Sequence, residues 1–155
     1  MKKFKPELKP TNPNPKDVIG STKVAMHYLP LNVMSEIALG LTEGAMKYGS
    51  HNFRIAGVRA SIYFDATMRH LMSWWEGEDI DPDSGLSHIT KAMSSLTVLR
   101  DAMLNDMWND DRPPKVKNQN WVRDFNKLSK EIIDKYPNPV PPYTNNHNKL
   151  HDTTS

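Results

Sequence analysis

Three stretches of this chain repeat apolar residues at helical spacing, and nothing between them alternates as a half-buried strand does, so the expected fold class is all-α. The first stretch should begin near Asn32, after Pro30, and stop at Gly49, a residue suited to the left-handed position that ends a helix. Val33, Ile37, Leu41 and Ala45 make its core row, and Glu36, Gly40, Glu43 and Lys47 project from a second row. Gly40 and Gly44 inside a helix each cost about 1 kcal/mol relative to alanine, and glycines placed so usually admit a close backbone or a ligand. The second stretch, about Ala60 to Trp75, is apolar on most sides, which is the pattern of a buried helix. Its polar exceptions Asp65, Arg69, Ser73 and Glu76 share one stripe with His70 at the flank, expected to line a polar cleft; a wet face carrying an Asp65–Arg69 pair is the simpler alternative. The third stretch runs from about Leu86 to Met107 with Ile89, Ala92, Met93, Leu96, Leu99 and Met103 as its core stripe. A weaker fourth, Trp121 to Lys135, lies between Pro113-Pro114 and Pro137. Together they predict a helical bundle of three long helices plus a short C-terminal one, with ligands held between facing helices.

A chain of 155 residues fits one domain, and an apolar fraction of 37% leaves part of it outside any core. The division expected is an extended N-terminal segment over 1–18, a helical domain over 19–135 and a flexible tail over 136–155. A net charge of +2 with scattered basic residues argues against non-specific nucleic-acid binding, and no apolar run is long enough to span a membrane. Without cysteine, disulfides and thiolate metal sites are excluded, and only nitrogen and oxygen ligands remain. With no apolar leader in view, a cytoplasmic location is the expectation.

The chemistry concentrates in two places. Between Arg69 and His88 two histidines, His70 and His88, bracket five carboxylates from Glu76 to Asp83. Carboxylate oxygens suit Mg²⁺ or Mn²⁺, and imidazole shifts the preference toward Mn²⁺. Asp79, Asp81 and Asp83 imitate a calcium loop only superficially, because Pro82 interrupts it, Ser84 stands where glycine is required and Thr90 where glutamate is required. Glu78 and Asp81 form a Glu-x-x-Asp pair able to offer two oxygens to one ion. The plainer reading is a solvated acidic turn in which Asp83 or Ser84 caps the next helix. The second place is the glycine-punctuated run Gly-Ala-Met-Lys-Tyr-Gly-Ser-His-Asn-Phe-Arg over 44–54, which gathers Lys47, Tyr48, Asn52, Phe53 and Arg54. Cations beside a metal suit polyphosphate, and an aromatic face with an amide suits a base or sugar; alternatively Tyr48 and Phe53 merely cap the core. No phosphate-binding Gly-x-x-x-x-Gly-Lys loop and no nucleophile elbow occurs, which leaves metal-assisted attack of water on a phosphate as the reaction to expect.

Gly-Ala-Met-Lys-Tyr-Gly with Asn-Phe-Arg, then Arg-His-Leu, then Gly-Glu-Asp-Ile-Asp-Pro-Asp-Ser-Gly followed by His88 resembles the dATP/dGTP diphosphohydrolase N-terminal family, common in bacteriophages and related to the all-α MazG-like nucleotide pyrophosphohydrolases. The resemblance covers roughly residues 14–104. It implies a MazG-like bundle, assembled as a dimer or tetramer, that hydrolyses a purine deoxynucleoside triphosphate, dGTP or dATP, to the monophosphate and pyrophosphate with Mg²⁺ or Mn²⁺. Carried onto this sequence, Glu78 and Asp81 match the metal-binding Glu-x-x-Asp element, and Glu36 and Glu43 are looser matches to the paired glutamates of the MazG-like enzymes. Glu36, Glu43, Glu78, Asp81 and His88 are therefore the expected metal ligands, with His70 beside Glu43, Glu78 and Asp81 among the catalytic groups. Lys47, Arg54 and Arg69 would hold phosphates, and Tyr48, Asn52 and Phe53 the base or sugar. Lys91 departs from the pattern, since many relatives carry histidine there; a lysine repels a cation or grips phosphate. A nucleotide-binding protein without turnover, sequestering a signalling nucleotide, is the alternative from another class, and a purely structural bundle is the third.

Overall fold

The structure is a computed structural model and describes residues 14–145. Its elements in chain order are α1 (Pro15–Gly20), α2 (Leu31–Tyr48), β1 (Val58–Arg59), α3 (Ala60–Trp75), α4 (His88–Leu104), β2 (Trp108–Asn109) and α5 (Trp121–Ile133), with 3-10 turns at Met26–Tyr28 and Asn52–Arg54. The described residues fall into two compact units that divide between Arg112 and Pro113, inside the stretch expected as one domain.

In the first unit α4 is the central helix, packed on α3 and on α2. What it buries is small: Thr90, Ala92, Ser94 and Ala102 turn inward, against Gly40 of α2 and Ala60 and Thr67 of α3. A Cβ built on Gly40 would lie 2.3 Å from Ser94 Oγ and 3.1 Å from its Cβ, so the glycine sets how closely the two helices approach. Ser94 Oγ in turn donates to Thr90 O at 2.8 Å. The rows expected from apolar spacing face inward on α2, where Val33, Ile37, Leu41 and Ala45 are half-buried, and on most of α4, where Ala92 is buried and only Leu96 of the expected stripe is exposed; α3 departs from expectation. On α3, Ala60, Tyr63, Thr67 and His70 face inward at steps of three, four and three, while Phe64 (60% exposed), Met72 (61%) and Trp75 (78%) lie open. The helix is apolar nearly all round, but α4 and the short strand β1 cover only one side of it. Of the Asp65, Arg69, Ser73 and Glu76 stripe only Ser73 is half-buried, the others are exposed, and none lines the cavity described below.

Local chemistry fixes the boundaries. Gly49 (φ 90°) ends α2 with its N–H on Ala45 O at 2.9 Å. Helix α4 begins at His88 rather than Leu86, because the Ser87 hydroxyl, and not Asp83 or Ser84, caps it by accepting from Ile89 N at 3.2 Å. It stops at Leu104, where Asp106 turns to φ 55° and Met107 N bonds back to Ala102 O. Residues 15–18, expected to be extended, instead belong to α1: Asn14 Oδ1 accepts from Lys16 N at 2.9 Å and Pro15 occupies the first helical position. Two two-residue strands, too short to show alternation in sequence, pair in parallel as Val58↔Trp108 and Arg59↔Asn109 and tie the start of α3 to the end of α4.

In the second unit α5 presents Trp121, Phe125, Leu128 and Ile132 on one exposed face, with Trp121 and Phe125 packed edge-on at 5.7 Å. Residues 134–144 carry no helix or strand. The outer parts of the two expected terminal segments, 1–13 and 146–155, lie outside the described residues. Among the described residues no helix is long and apolar enough to cross a membrane.

Gly40→Ala tests the α2–α4 contact. Overpacking against Ser94 costs about 1–3 kcal/mol, while the better helix former returns about 1 kcal/mol. A net loss in denaturant unfolding is expected, part of which Ser94→Ala restores by removing the nearer atom.

Candidate functional site

The loop from Gly77 to Ser87 is held by its own backbone. Asp81 N donates to Leu86 O and Gly85 N to Asp81 O, both at 2.8 Å, and His88 N donates to Asp79 O at 3.0 Å. That folding brings Asp81 and His88 under the end of α3, where His70 meets them. One ligand atom from each of His70, Asp81 and His88 lies within 4.8 Å of the other two, and Asp81 and His88 are buried. The two Nδ1 atoms are 2.8 Å apart, so one ring donates and the other accepts. On the far edge of its ring His88 Nε2 meets Glu78 Oε2 at 3.1 Å, while the Ser84 hydroxyl donates to Asp81 Oδ2 at 2.5 Å.

The charges in this cluster are set by opposing effects. Burial lowers the pKa of His70, the Asp81 carboxylate works against that, and His88, Lys91 and Arg69 add to the lowering. For Asp81 burial pushes upward, but the Ser84 hydrogen bond with the charges of Lys91 and His70 holds the carboxyl below its ordinary value. A neutral imidazole beside an ionised carboxylate is the state that ligates a cation. Two imidazole nitrogens and a carboxylate oxygen fit a divalent ion, with Glu78 placed to orient His88 from behind.

The other expected carboxylates go elsewhere. Glu36 accepts from the buried Thr90 hydroxyl at 2.7 Å. Glu43 is hydrogen-bonded by both Lys47 and Lys91. Neither belongs to the histidine cluster.

A cavity of about 170 Å³ opens between α2, α4 and the loop after α2. Lys47, Tyr48, Asn52 and Phe53 of the expected nucleotide site all line it, together with Glu43 and two residues that spacing alone did not bring in, Tyr63 and Ser95. Burial raises the Tyr63 phenol, with the nearby Tyr48 adding to the shift. Arg54 is not in that wall: its Nε and a terminal nitrogen bind Asp101 at 2.8 and 2.6 Å, fastening the Asn52–Arg54 turn to α4. Arg69 is exposed on α3. The signal that could have found the wall on α4 is His88, Lys91, Ser95 and Val98 at steps of three, four and three, which share one face running from the cluster into the cavity.

Residues 13–112 match the model of the family described as dATP/dGTP diphosphohydrolase, N-terminal, and the chain belongs to that family. A protein of Salmonella phage PMBT28 named dATP/dGTP diphosphohydrolase is 28% identical over 123 residues, which is 76% of this chain and 42% of the relative. The chain thus spans less than half the length of that curated relative. No solved structure matches it.

The Glu43 carboxyl sits below its ordinary 4.5 because of the Lys47 hydrogen bond first and the Lys91 bond second. A depressed carboxylate adds stability above its unfolded pKa and loses it as pH falls through the folded value. Glu43→Gln should therefore be less stable than the native chain at neutral pH and nearly equal to it in acid. Urea unfolding across that range checks this, and a constant gap would show that the lysine contacts contribute nothing.

Proposed function

We propose that this chain holds a divalent cation, Mn²⁺ or Mg²⁺, on His70, Asp81 and His88 and hydrolyses dATP or dGTP to the monophosphate and pyrophosphate. The observation that carries the reading is the junction on α4, where a convergent two-histidine, one-carboxylate cluster adjoins a cavity walled by lysine, tyrosine, asparagine and phenylalanine. Membership of the dATP/dGTP diphosphohydrolase N-terminal family and the name of the phage relative support the nucleotide and the reaction.

When bound, such an ion supplies a more acidic water and neutralises charge on the leaving pyrophosphate. The chain's own groups do the rest. Glu78 fixes the orientation of His88 through Nε2, and Ser84 fixes Asp81. Lys47 at the mouth of the cavity offers a cation to the phosphates, with Arg69 at the outer flank. Tyr48 and Phe53 present aromatic surface to a base, and Asn52 offers an amide to its edge or to the sugar. Arg54 holds the turn carrying Asn52 and Phe53 through Asp101.

The finer architecture follows the same reading: a MazG-like arrangement of α2, α3 and α4, completed by a homo-oligomer, dimer or tetramer. The open apolar surface of α3, with Phe64, Met72 and Trp75, supports that assembly, because contiguous exposed apolar surface marks an interaction site. The phage relative supports action in the host cytoplasm.

Purified protein incubated with dGTP or dATP and Mn²⁺ or Mg²⁺ should release pyrophosphate and the monophosphate, resolved by chromatography. Asp81→Ala and His88→Ala should remove metal-dependent turnover with far-ultraviolet circular dichroism nearly unchanged, and Glu78→Gln should lower it by about 10- to 100-fold. Orthophosphate or tripolyphosphate as the first product assigns a different reaction, and full turnover in Asp81→Ala rules the cluster out.

Met72→Glu combined with Trp75→Glu should shift the protein to a smaller species in light scattering. An unchanged mass removes α3 as the interface.

A further inference from the structure

We infer that Lys91 is a phosphate-binding residue that joins the histidine cluster to the cavity, and that Glu43 holds Lys91 and Lys47 in place instead of ligating metal. The inference rests on the nucleotide reading above and deepens it, because it sets the direction in which a triphosphate lies.

Three observations carry it. First, Lys91 lies one helical turn after His88 and one before Ser95 on α4, and it lines the cavity. A cation one turn from the cluster's His88 and in the cavity wall stands where a ligand touching both must pass. Second, Lys91 is only 17% exposed, and a lysine so enclosed gives up much of its hydration, which its partners must replace. The partner here is Glu43, which two lysines share. The trio keeps a net charge of +1, so the mouth remains attractive to an anion after the carboxylate is counted. Third, Glu43 belongs to the same wall as the lysines and outside the histidine cluster. Its carboxylate is saturated by ammonium groups, and leaving them for a metal would strand two cations.

The polarity of the bound ligand follows from this placement. Phosphates lie at the His88 end of the α4 face beside Lys91, and the base lies toward Phe53, Tyr63 and Val98 at the other end of the cavity. No bond is made or broken by Lys91 in this role. It neutralises phosphate charge and aims the chain of phosphates at the cluster.

The test separates phosphate, base and metal binding on the full chain. Calorimetry in EDTA measures inorganic tripolyphosphate and, separately, deoxyguanosine; Mn²⁺ binding without nucleotide is measured by electron paramagnetic resonance. Lys91→Met should weaken tripolyphosphate by about 10- to 100-fold, the range of one charge-assisted hydrogen bond, leave deoxyguanosine unchanged and leave Mn²⁺ as tight or tighter. Lys91→Arg should recover part of the tripolyphosphate affinity. Glu43→Gln should keep Mn²⁺ affinity within about twofold, whereas Asp81→Ala loses it. Unchanged tripolyphosphate affinity in Lys91→Met overturns the phosphate role, an equal loss of deoxyguanosine assigns Lys91 to folding only, and loss of Mn²⁺ in Glu43→Gln makes Glu43 a ligand after all. If tripolyphosphate binding depends on Lys91 but no nucleotide is turned over, the hydrolase reading fails while this inference stands.

Discussion

Because no Cβ separates Gly40 from Ser94, α2 and α4 approach closely enough for side chains on one to reach polar groups on the other along the whole contact. Glu36 reaches Thr90 before the glycine, and Glu43 reaches Lys91 after it. The same approach makes the floor of the cavity, where Gly40 and Gly44 replace side chains that would otherwise fill it. Helix propensity disfavours both glycines, so their presence mid-helix trades local stability for proximity. The polar face of α4 depends on that trade: with α2 held farther off, Lys91 would lack its carboxylate and turn outward.

The histidine cluster is organised by a different device. A loop of eleven residues from Gly77 to Ser87 would be mobile if its backbone groups faced water alone, yet four of them close on one another or on neighbouring helix ends: Glu78 N on Ser73 O, Asp81 N on Leu86 O, Gly85 N on Asp81 O and His88 N on Asp79 O. Asp81 is buried within this bonded loop. A buried carboxylate carries a desolvation penalty, and here Ser84, Lys91 and His70 offset it. The buried imidazole of His88 and the half-buried one of His70 face each other through Nδ1, an arrangement that tolerates one proton between them and leaves the pair ready for a cation.

Legibility in the sequence follows the range of the forces involved. The bounds of α2, α3 and α5 come from short-range signals, Pro30 before, Gly49 and Gly77 after, Pro113-Pro114 and Pro137 around, and these read directly. That Asp81, His88 and His70 lie together was legible because the intervening loop keeps them close in sequence, and the same holds for Lys47, Tyr48, Asn52 and Phe53 along the cavity. What could not be read were choices between partners distant in the chain. Arg54 is 47 residues from Asp101, and Lys91 is 48 from Glu43. Apolar spacing found the inward rows of α2 and most of α4 but missed Thr67, Thr90 and Ser94, small polar residues that close helix packing buries and no hydrophobic count favours.

The same preference for small inward residues leaves the first unit with a thin apolar interior: Val58, Ala60, Ala92 and Ala102 are its buried hydrophobic side chains. Burial of a large aliphatic or aromatic side chain contributes about 1.5–3 kcal/mol, and alanine far less. Most of the apolar surface on α3 therefore contributes little while it faces water. Phe64 lies one helical turn from both Ala60 and Thr67, so the open apolar surface that continues to Met72 and Trp75 begins at the edge of the inward row that ends at His70. None of these three side chains lines the cavity or belongs to the histidine cluster, so the proposed assembly and the proposed site draw on different residues of one helix.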